Sequence, residues 1–374
     1  MKLTSIYFLL LTVFVLSCFA PYGATQVPII YSSDLYHPHG DPDDHYDLAT
    51  LFAQEEFDIR GIVIDVRNST IDGVGWQPIE QMMHITGRRV PYAIGLKNKL
   101  KSRTDKAFGQ PAVFQSGIDL TLSLLRKSKE KVVLFSAGSG RDFAAAFNRE
   151  PELMKNKVKA VYLNAGNGPG GIQWESNTDR GKHEYLRLFE SGLPIYWCPC
   201  WTPEPWAKQI SGTRSHKTYA TLFYLTDQNV VYRDSPLAVQ NYFVYCLTRS
   251  KDDPITFLKT GPHELPRGKR HLWCIAPLIH AAGRAVYERK PGDFVALSEE
   301  NAGRKGLAGK KVKAFEFVPC RVVSQYPARR TKHIKQTVTF DSKKTNVHIF
   351  HTADTRYYEI LTSCLRNLLD EIEK

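Results

Sequence analysis

Past Ala20 the chain has no apolar run of bilayer-spanning length, which excludes a polytopic membrane protein. It also lacks repeats, low-complexity tracts and a Pro/Gly/Ser-rich linker, so the mature chain, about 350 residues, reads as one domain. Only one close cysteine pair occurs, Cys198 and Cys200, and no second pair completes a four-thiolate metal site. That pair lies in an apolar run; with Cys246, Cys274, Cys320 and Cys364 it is expected to be buried structural thiol, although an exported compartment permits disulfides. Acidic residues are the minority: 50 Lys and Arg against 38 Asp and Glu leave a net charge of +12. No aromatic-interleaved basic motif accompanies the clusters at 97–106, 304–313 and 329–335. No nucleic-acid partner is therefore expected, and the excess is read as a solvated basic surface.

What is present begins with an export segment. Lys2 precedes the apolar run Ile6 to Val15 and small residues near Ser17 to Ala20, the pattern of a signal peptide over residues 1–24. Val15-Leu-Ser-Cys18 resembles a bacterial lipobox, which would make Cys18 a lipid anchor; ordinary cleavage near Ala20 or Ala24 is the other outcome. The expected destination is outside the cytoplasm: periplasmic, secreted or lipid-anchored.

From residue 25 on, short β-type runs alternate with helical patterns. Strands are expected at 27–33, 59–65, 90–94, 132–136, 158–164 and 194–198, and helices at 43–54, 78–87, 112–127, 141–148 and 184–191. Such alternation predicts an α/β fold, a mostly parallel central sheet with helices on both faces, of Rossmann type. After Trp201 the pattern turns mostly helical, with helices expected at 213–225, 236–247, 273–287 and 356–373 and late strands at 312–325 and 347–351.

Four features fall where strands of that sheet would end: Asp34 with Asp43 and Asp44, Asn68, Gly138 to Asp142, and Asn164 to Asn177. Ligands of open α/β sheets bind outside the carboxyl ends of the strands. Asp34, Asp41, Asp43, Asp44 and Asp47 cannot all ionise in one cleft without a positive partner, and a hard divalent cation resolves the conflict. Turn-forming and helix-capping roles account for Asp41 but not for an apolar strand that ends in Asp34.

These residues resemble the inosine-uridine type nucleoside hydrolases, which open on a strand, then Asp-x-Asp-Pro-Gly-x-Asp-Asp and a small-residue helix. Ile29-Ile-Tyr-Ser-Ser-Asp34 is similar to the strand and Asp43-Asp44 to the closing pair. Gly61-Ile-Val-Ile-Asp-Val-Arg-Asn68, Gly138-Ser-Gly-Arg-Asp142, Val161-Tyr-Leu-Asn-Ala-Gly-Asn167 and Trp174-Glu-Ser-Asn177 echo the segments that follow, and the likeness runs from about 27 to 372. It implies a hydrolase of N-glycosidic bonds of ribonucleosides or related ribosides that uses a Ca²⁺-bound water, and commonly a homo-oligomer. It implies Asp34 as metal ligand and general base, Asp44 as bidentate ligand, and the Arg141 carbonyl as a further ligand. Asp43 would accept a ribose hydroxyl, while Asn68, Asn167, Glu175 and Asn177 would hold the sugar.

Three departures stand out. Five extra residues, among them His37 and His39, separate Asp34 from the aspartate pair. Ser32 replaces the family's first Asp. Trp273-Cys274 stands where the family has His-Asp, which removes one metal ligand and one candidate acid. Asp41, Asp47 or water would complete the metal shell, and His39 or His271 would serve the leaving group; His280 is expected in the core. Trp197, Trp201 and Trp206 are either base-stacking or core residues. The departures leave a second outcome open, a non-catalytic or altered-substrate sugar- or nucleoside-binding protein. A metallophosphoesterase, superficially suggested by His39-Gly-Asp-Pro-Asp-Asp-His45, lacks its Gly-Asn-His-Asp/Glu element, which Asn164-Ala-Gly-Asn-Gly168 does not supply.

Overall fold

The computed structural model describes residues 26–66, 74–169, 172–173, 175–202, 218–325, 333–340 and 345–372. The export segment with Cys18, and also Asn68 and Trp206, lie outside them. Among the described residues no helix is long and apolar enough to cross a membrane.

The first half of the chain alternates as its apolar runs dictate. β1 (Val27–Ser33), α1 (Asp43–Ala53), β2 (Phe57–Ile64), α2 (Trp76–Thr86) and β3 (Tyr92–Ile94) are followed by α3 (Ser116–Lys127), β4 (Val132–Ser136), α4 (Arg141–Arg149), α5 (Pro151–Lys157) and β5 (Val158–Leu163). Then come the two-residue β6 (Ile172–Gln173), α6 (Ser176–Arg180), α7 (Lys182–Glu190) and β7 (Ile195–Trp197). β8 (Phe223–Leu225) and β9 (Arg270–Leu272) pair with each other, and β10 (Ala285–Lys290), β11 (Asp293–Leu297) and β12 (Lys311–Val312) form a small sheet. β13 (Phe315–Gln325), β14 (Ile334–Thr339) and β15 (Val347–Thr352) return to the main sheet, whose ten strands run β3-β2-β1-β4-β5-β7-β15-β13-β14-β6.

From β3 through β15 every pairing is parallel; β13, β14 and β6 extend the sheet antiparallel. The mostly parallel α/β sheet is thus the one expected. Chain order reverses between β1 and β4, which opens a crevice at the carboxyl ends of those two strands.

Both faces of the sheet are covered, so its strands read as continuous apolar runs rather than alternating ones. Alternate residues still go to opposite layers. Ile29 and Tyr31 join Val133 and Phe135 in one core, with Leu48, Leu51 and the terminal helix Tyr357–Asp370. Ile30 joins Val132, Leu134 and Phe143 in the other, with Ile118 and Leu125. Full burial of each such side chain stabilises by about 1.5–3 kcal/mol.

Chain after Trp201 departs from the helical expectation. Of the helix expected at 213–225, residues 213–217 lie outside the described set and 223–225 form β8. Short apolar runs such as Ala220 to Leu225 do not distinguish a buried strand from a helix turn. The helix expected at 273–287 stops at Ala281, and Gly283, with φ of 72°, turns the chain into β10. That small sheet, β9 and β14 had no counterpart among the expected elements.

Just below the crevice lies a buried polar strut. Asp65, immediately after β2, accepts the Ser139 N–H at 2.7 Å and faces the Arg141 guanidinium at 3.3 Å, both side chains being nearly inaccessible. Arg141 also donates to Ser139 Oγ at 2.8 Å and to the Lys97 carbonyl at 3.0 Å. Gly138 makes this possible: a Cβ there would stand 2.6 Å from Asp65 Oδ2. Removing one partner leaves the other charge buried and uncompensated. Arg141→Ala is therefore expected to cost about 3–5 kcal/mol in urea unfolding; a loss within about 0.5 kcal/mol, the surface range, would contradict the strut.

Candidate functional site

The crevice is a cleft of about 630 Å³ whose wall includes Asp34, Asp43, Asp44, Asn164, Asn177 and Arg180. Asp34 follows β1, Ala137 follows β4 and Asn164 follows β5, so each reaches the cleft because its strand ends there. Asp43 and Asp44 open α1, where the helix dipole favours negative charge. Asp41, Glu175 and Asp179 add further carboxylates; against them stand Lys99 and Arg180. A protein of net charge +12 thus carries an acidic cleft.

The carboxylates are unequal. Arg180, at the end of α6, forms an ion pair with Asp34 and also donates to Asn177 Oδ1 at 3.3 Å. Asp44 accepts a hydrogen bond from Ser33 Oγ and is only 6% exposed. Burial, followed by repulsion from Asp34 and Asp47, pushes its carboxyl well above the usual range. Asp43 moves the same way, through burial and then Asp41, Asp44, Asp47 and Asp34. Asp47 is buried beneath the pair; burial lifts it to about 7 although Cys274 hydrogen-bonds to it.

Glu175 and Asn177, across the cleft, are held by main chain. Glu175 caps α6: its Oε1 accepts from Asn177 N at 2.7 Å, and its Oε2 from Gly166 N at 2.8 Å and Thr178 N at 3.1 Å. Burial raises this carboxyl, and those three N–H groups offset part of the rise. Asn177 donates to the carbonyls of Ala137 and Asn164, both at 3.0 Å, which ties α6 to the ends of β4 and β5. Trp201 and Trp273 stand edge to face, ring centroids 5.3 Å apart, and form an aromatic wall of the cleft.

Of the residues singled out in the sequence, Asp34, Asp43, Asp44, Glu175 and Asn177 come together here. Asn68 lies outside the described residues. Asn167 is fully buried, its N–H on Gln173 Oε1 at 2.5 Å, and does not line the cleft. Arg141 does not line it either; its guanidinium belongs to the strut with Asp65. His39 lies against the Leu247 carbonyl at 3.4 Å, away from the cleft wall. His271 sits behind the wall, its ring centroid 6.4 Å from both Trp201 and Trp273. His280 hydrogen-bonds to Tyr162 at 2.7 Å among Tyr196 and Phe317, and Trp197 is buried with its indole on the Ala165 carbonyl. Cys198 and Cys200 are free and buried.

Arg180 was missed. Its position three residues after Asn177 places it one helical turn on, facing the same way. That spacing, beside a run of aspartates short of a partner, was the available clue.

No protein-family model matches the chain, and no curated sequence matches it. Solved structures do. A plant nucleoside hydrolase superposes with a TM-score of 0.53 over 92% of this chain and 99% of its own, at 13% identity. A purine-preferring ribonucleoside hydrolase from Gardnerella vaginalis gives 0.53 over 92% and 99%, at 14% identity. The chain therefore has the nucleoside hydrolase-like fold.

The Asp47 carboxyl generates a signed expectation. Its folded pKa is raised from 3.8 to about 7, so the native state holds that proton more tightly and its contribution is lost as pH rises through 7. In metal-free protein, the stability of Asp47→Asn relative to the parent should grow by about 2–4 kcal/mol between about pH 4 and pH 8. Parallel stability–pH curves for the two proteins would show that Asp47 does not titrate there.

Proposed function

We propose that this chain is an exported hydrolase of N-ribosidic bonds, acting on ribonucleosides or related ribosides. The observation that carries the reading is the acidic cleft at the strand-order reversal, with Asp34, Asp43 and Asp44 on one side and Glu175, Asn164 and Asn177 on the other. A fold of the nucleoside hydrolase type supports it.

The donor set fits a hard divalent cation. Asp43 and Asp44 are all-oxygen donors whose carboxyls are driven toward protonation by crowding, and Arg180 is engaged by Asp34. Asp34 and Asp44 would hold the ion, with Arg180 releasing Asp34; Ca²⁺ is the expected metal. When bound, the ion supplies a Lewis-acidic anchor for water and sugar hydroxyls.

The remaining chemistry falls to the chain. Breaking the bond between anomeric carbon and base nitrogen moves the bonding pair to the base and builds positive charge on the sugar ring. The surplus of carboxylates stabilises that charge, and contacts to hydroxyls that strengthen in the transition state add several kcal/mol. Asp34 takes the proton of the attacking water, and Asp43 accepts a ribose hydroxyl. Trp201 and Trp273 offer faces and edges on which the base stacks. His271, whose ring packs behind that wall 6.4 Å from both indoles, would serve the leaving base only by turning into the cleft.

The test is ribose release from a panel of nucleosides, with and without EDTA. Asp34→Asn is expected to lower kcat by about a hundred- to ten-thousand-fold with the fold intact. Asp44→Ala is expected to abolish calcium binding by calorimetry. No release from any nucleoside by intact, metal-loaded protein would end this reading.

The ion pair between Arg180 and Asp34, with Trp273-Cys274, favours a second reading, a riboside binder in which the guanidinium serves as the fixed cation. Arg180→Ala separates the two. A hydrolase should bind calcium more tightly once the competitor is gone and keep its turnover. A binder should lose riboside affinity and gain no turnover with any cation.

A further inference from the structure

We propose that His37, His45 and Cys246 form a site for a d-block divalent cation, zinc in the first instance, which clips the loop between Asp34 and Asp43 to the helix Leu237–Thr248. One ligand atom from each of the three lies within 4.8 Å of the other two, and all three side chains are buried. A tetrahedral zinc site holds such atoms about 3.5 Å apart, so a contraction of roughly 1 Å completes it.

The histidines are prepared in the manner of metal ligands. His37 Nε2 lies 2.6 Å from the Ser250 carbonyl, so it carries the proton and leaves the lone pair on Nδ1. That Nδ1 is buried without a hydrogen-bond partner. His39 repeats the arrangement more loosely, with Nε2 3.4 Å from the Leu247 carbonyl and a buried, unpartnered Nδ1. Both carbonyls belong to the chain just after Cys246. Neither ring nitrogen of His45 has a partner of ordinary hydrogen-bond geometry, although the Tyr36 backbone is close and the ring is fully buried.

Packing alone accounts for part of this. His37 stacks on Tyr245 at 4.5 Å, and the rings of His37 and His39 meet His45 edge-on at 6.3 and 5.8 Å. Stacking satisfies ring faces and leaves the nitrogens unsatisfied, which is costly in a buried site. Two imidazoles and a thiol are the donors that select zinc over calcium, whereas the cleft aspartates select the reverse. On binding, the Cys246 S–H bond breaks, its proton passes to water and the electron pair becomes the metal–thiolate bond.

The test uses the full chain, reduced, with no substrate present. After dialysis against zinc in excess calcium, one zinc per chain is expected by mass spectrometry. Cobalt in its place should give the near-ultraviolet thiolate-to-cobalt charge-transfer band. Cys246→Ser should abolish the band and weaken zinc binding at least tenfold; Asp44→Asn, which removes the proposed calcium ligand, should change neither. If Cys246→Ser does not fold, His37→Gln takes its place. No cobalt–thiolate band in the parent protein, or full zinc retention by Cys246→Ser or His37→Gln, would overturn the site and leave the hydrolase reading untouched.

Discussion

Everything at the mouth of this sheet depends on an imbalance of charge. Strand ends and the first turn of α1 bring Asp34, Asp43 and Asp44 into one cleft, with Asp47 buried beneath them. Like charges at such spacing in a poorly hydrated place hold one another's protons on. The Arg180 guanidinium reaches Asp34 and Arg270 reaches Asp41, which leaves Asp43 and Asp44 still driven toward protonation. That residual demand for positive charge is what the proposed hard cation, and a sugar ring losing its leaving group, would meet.

The supporting shell explains why the imbalance persists. Glu175 and Asn177 spend their polar atoms on backbone, Glu175 on three N–H groups and Asn177 on two carbonyls. They thereby fix α6, and with it Arg180, against the ends of β4 and β5. Beneath them the Arg141–Asp65 pair ties the carboxyl end of β2 to the start of α4. Arg180 is thus held beside Asp34 by the same contacts that fix α6.

Much of this was legible in the amino-acid order, and the rest was not for identifiable reasons. The strand ending at Asp34 and the aspartates opening α1 stand out because apolar runs and dipole-favoured acids are local patterns. The parallel half of the sheet follows from simple alternation. After Trp201 the same reasoning gave helix where β8 and β10 form, because a six-residue apolar run does not reveal its period and only tertiary pairing settles it. Asn167 was matched to a site position through its neighbours in sequence and is fully buried, and Arg141, named for its carbonyl, turns its guanidinium to Asp65; side-chain direction is what a string of letters does not carry. Arg180 was overlooked because a basic residue in a basic protein draws no attention until its partner is known.

The contrast between a basic exterior and an acidic mouth bears on which molecules can enter. A neutral riboside crosses from one to the other without electrostatic penalty. On the proposed reading, a phosphorylated analogue would be drawn to the outer surface and would then meet a carboxylate-lined opening at Asp41 and Asp179. Discrimination between a nucleoside and its nucleotide would then lie in the field of the whole molecule rather than in any single contact.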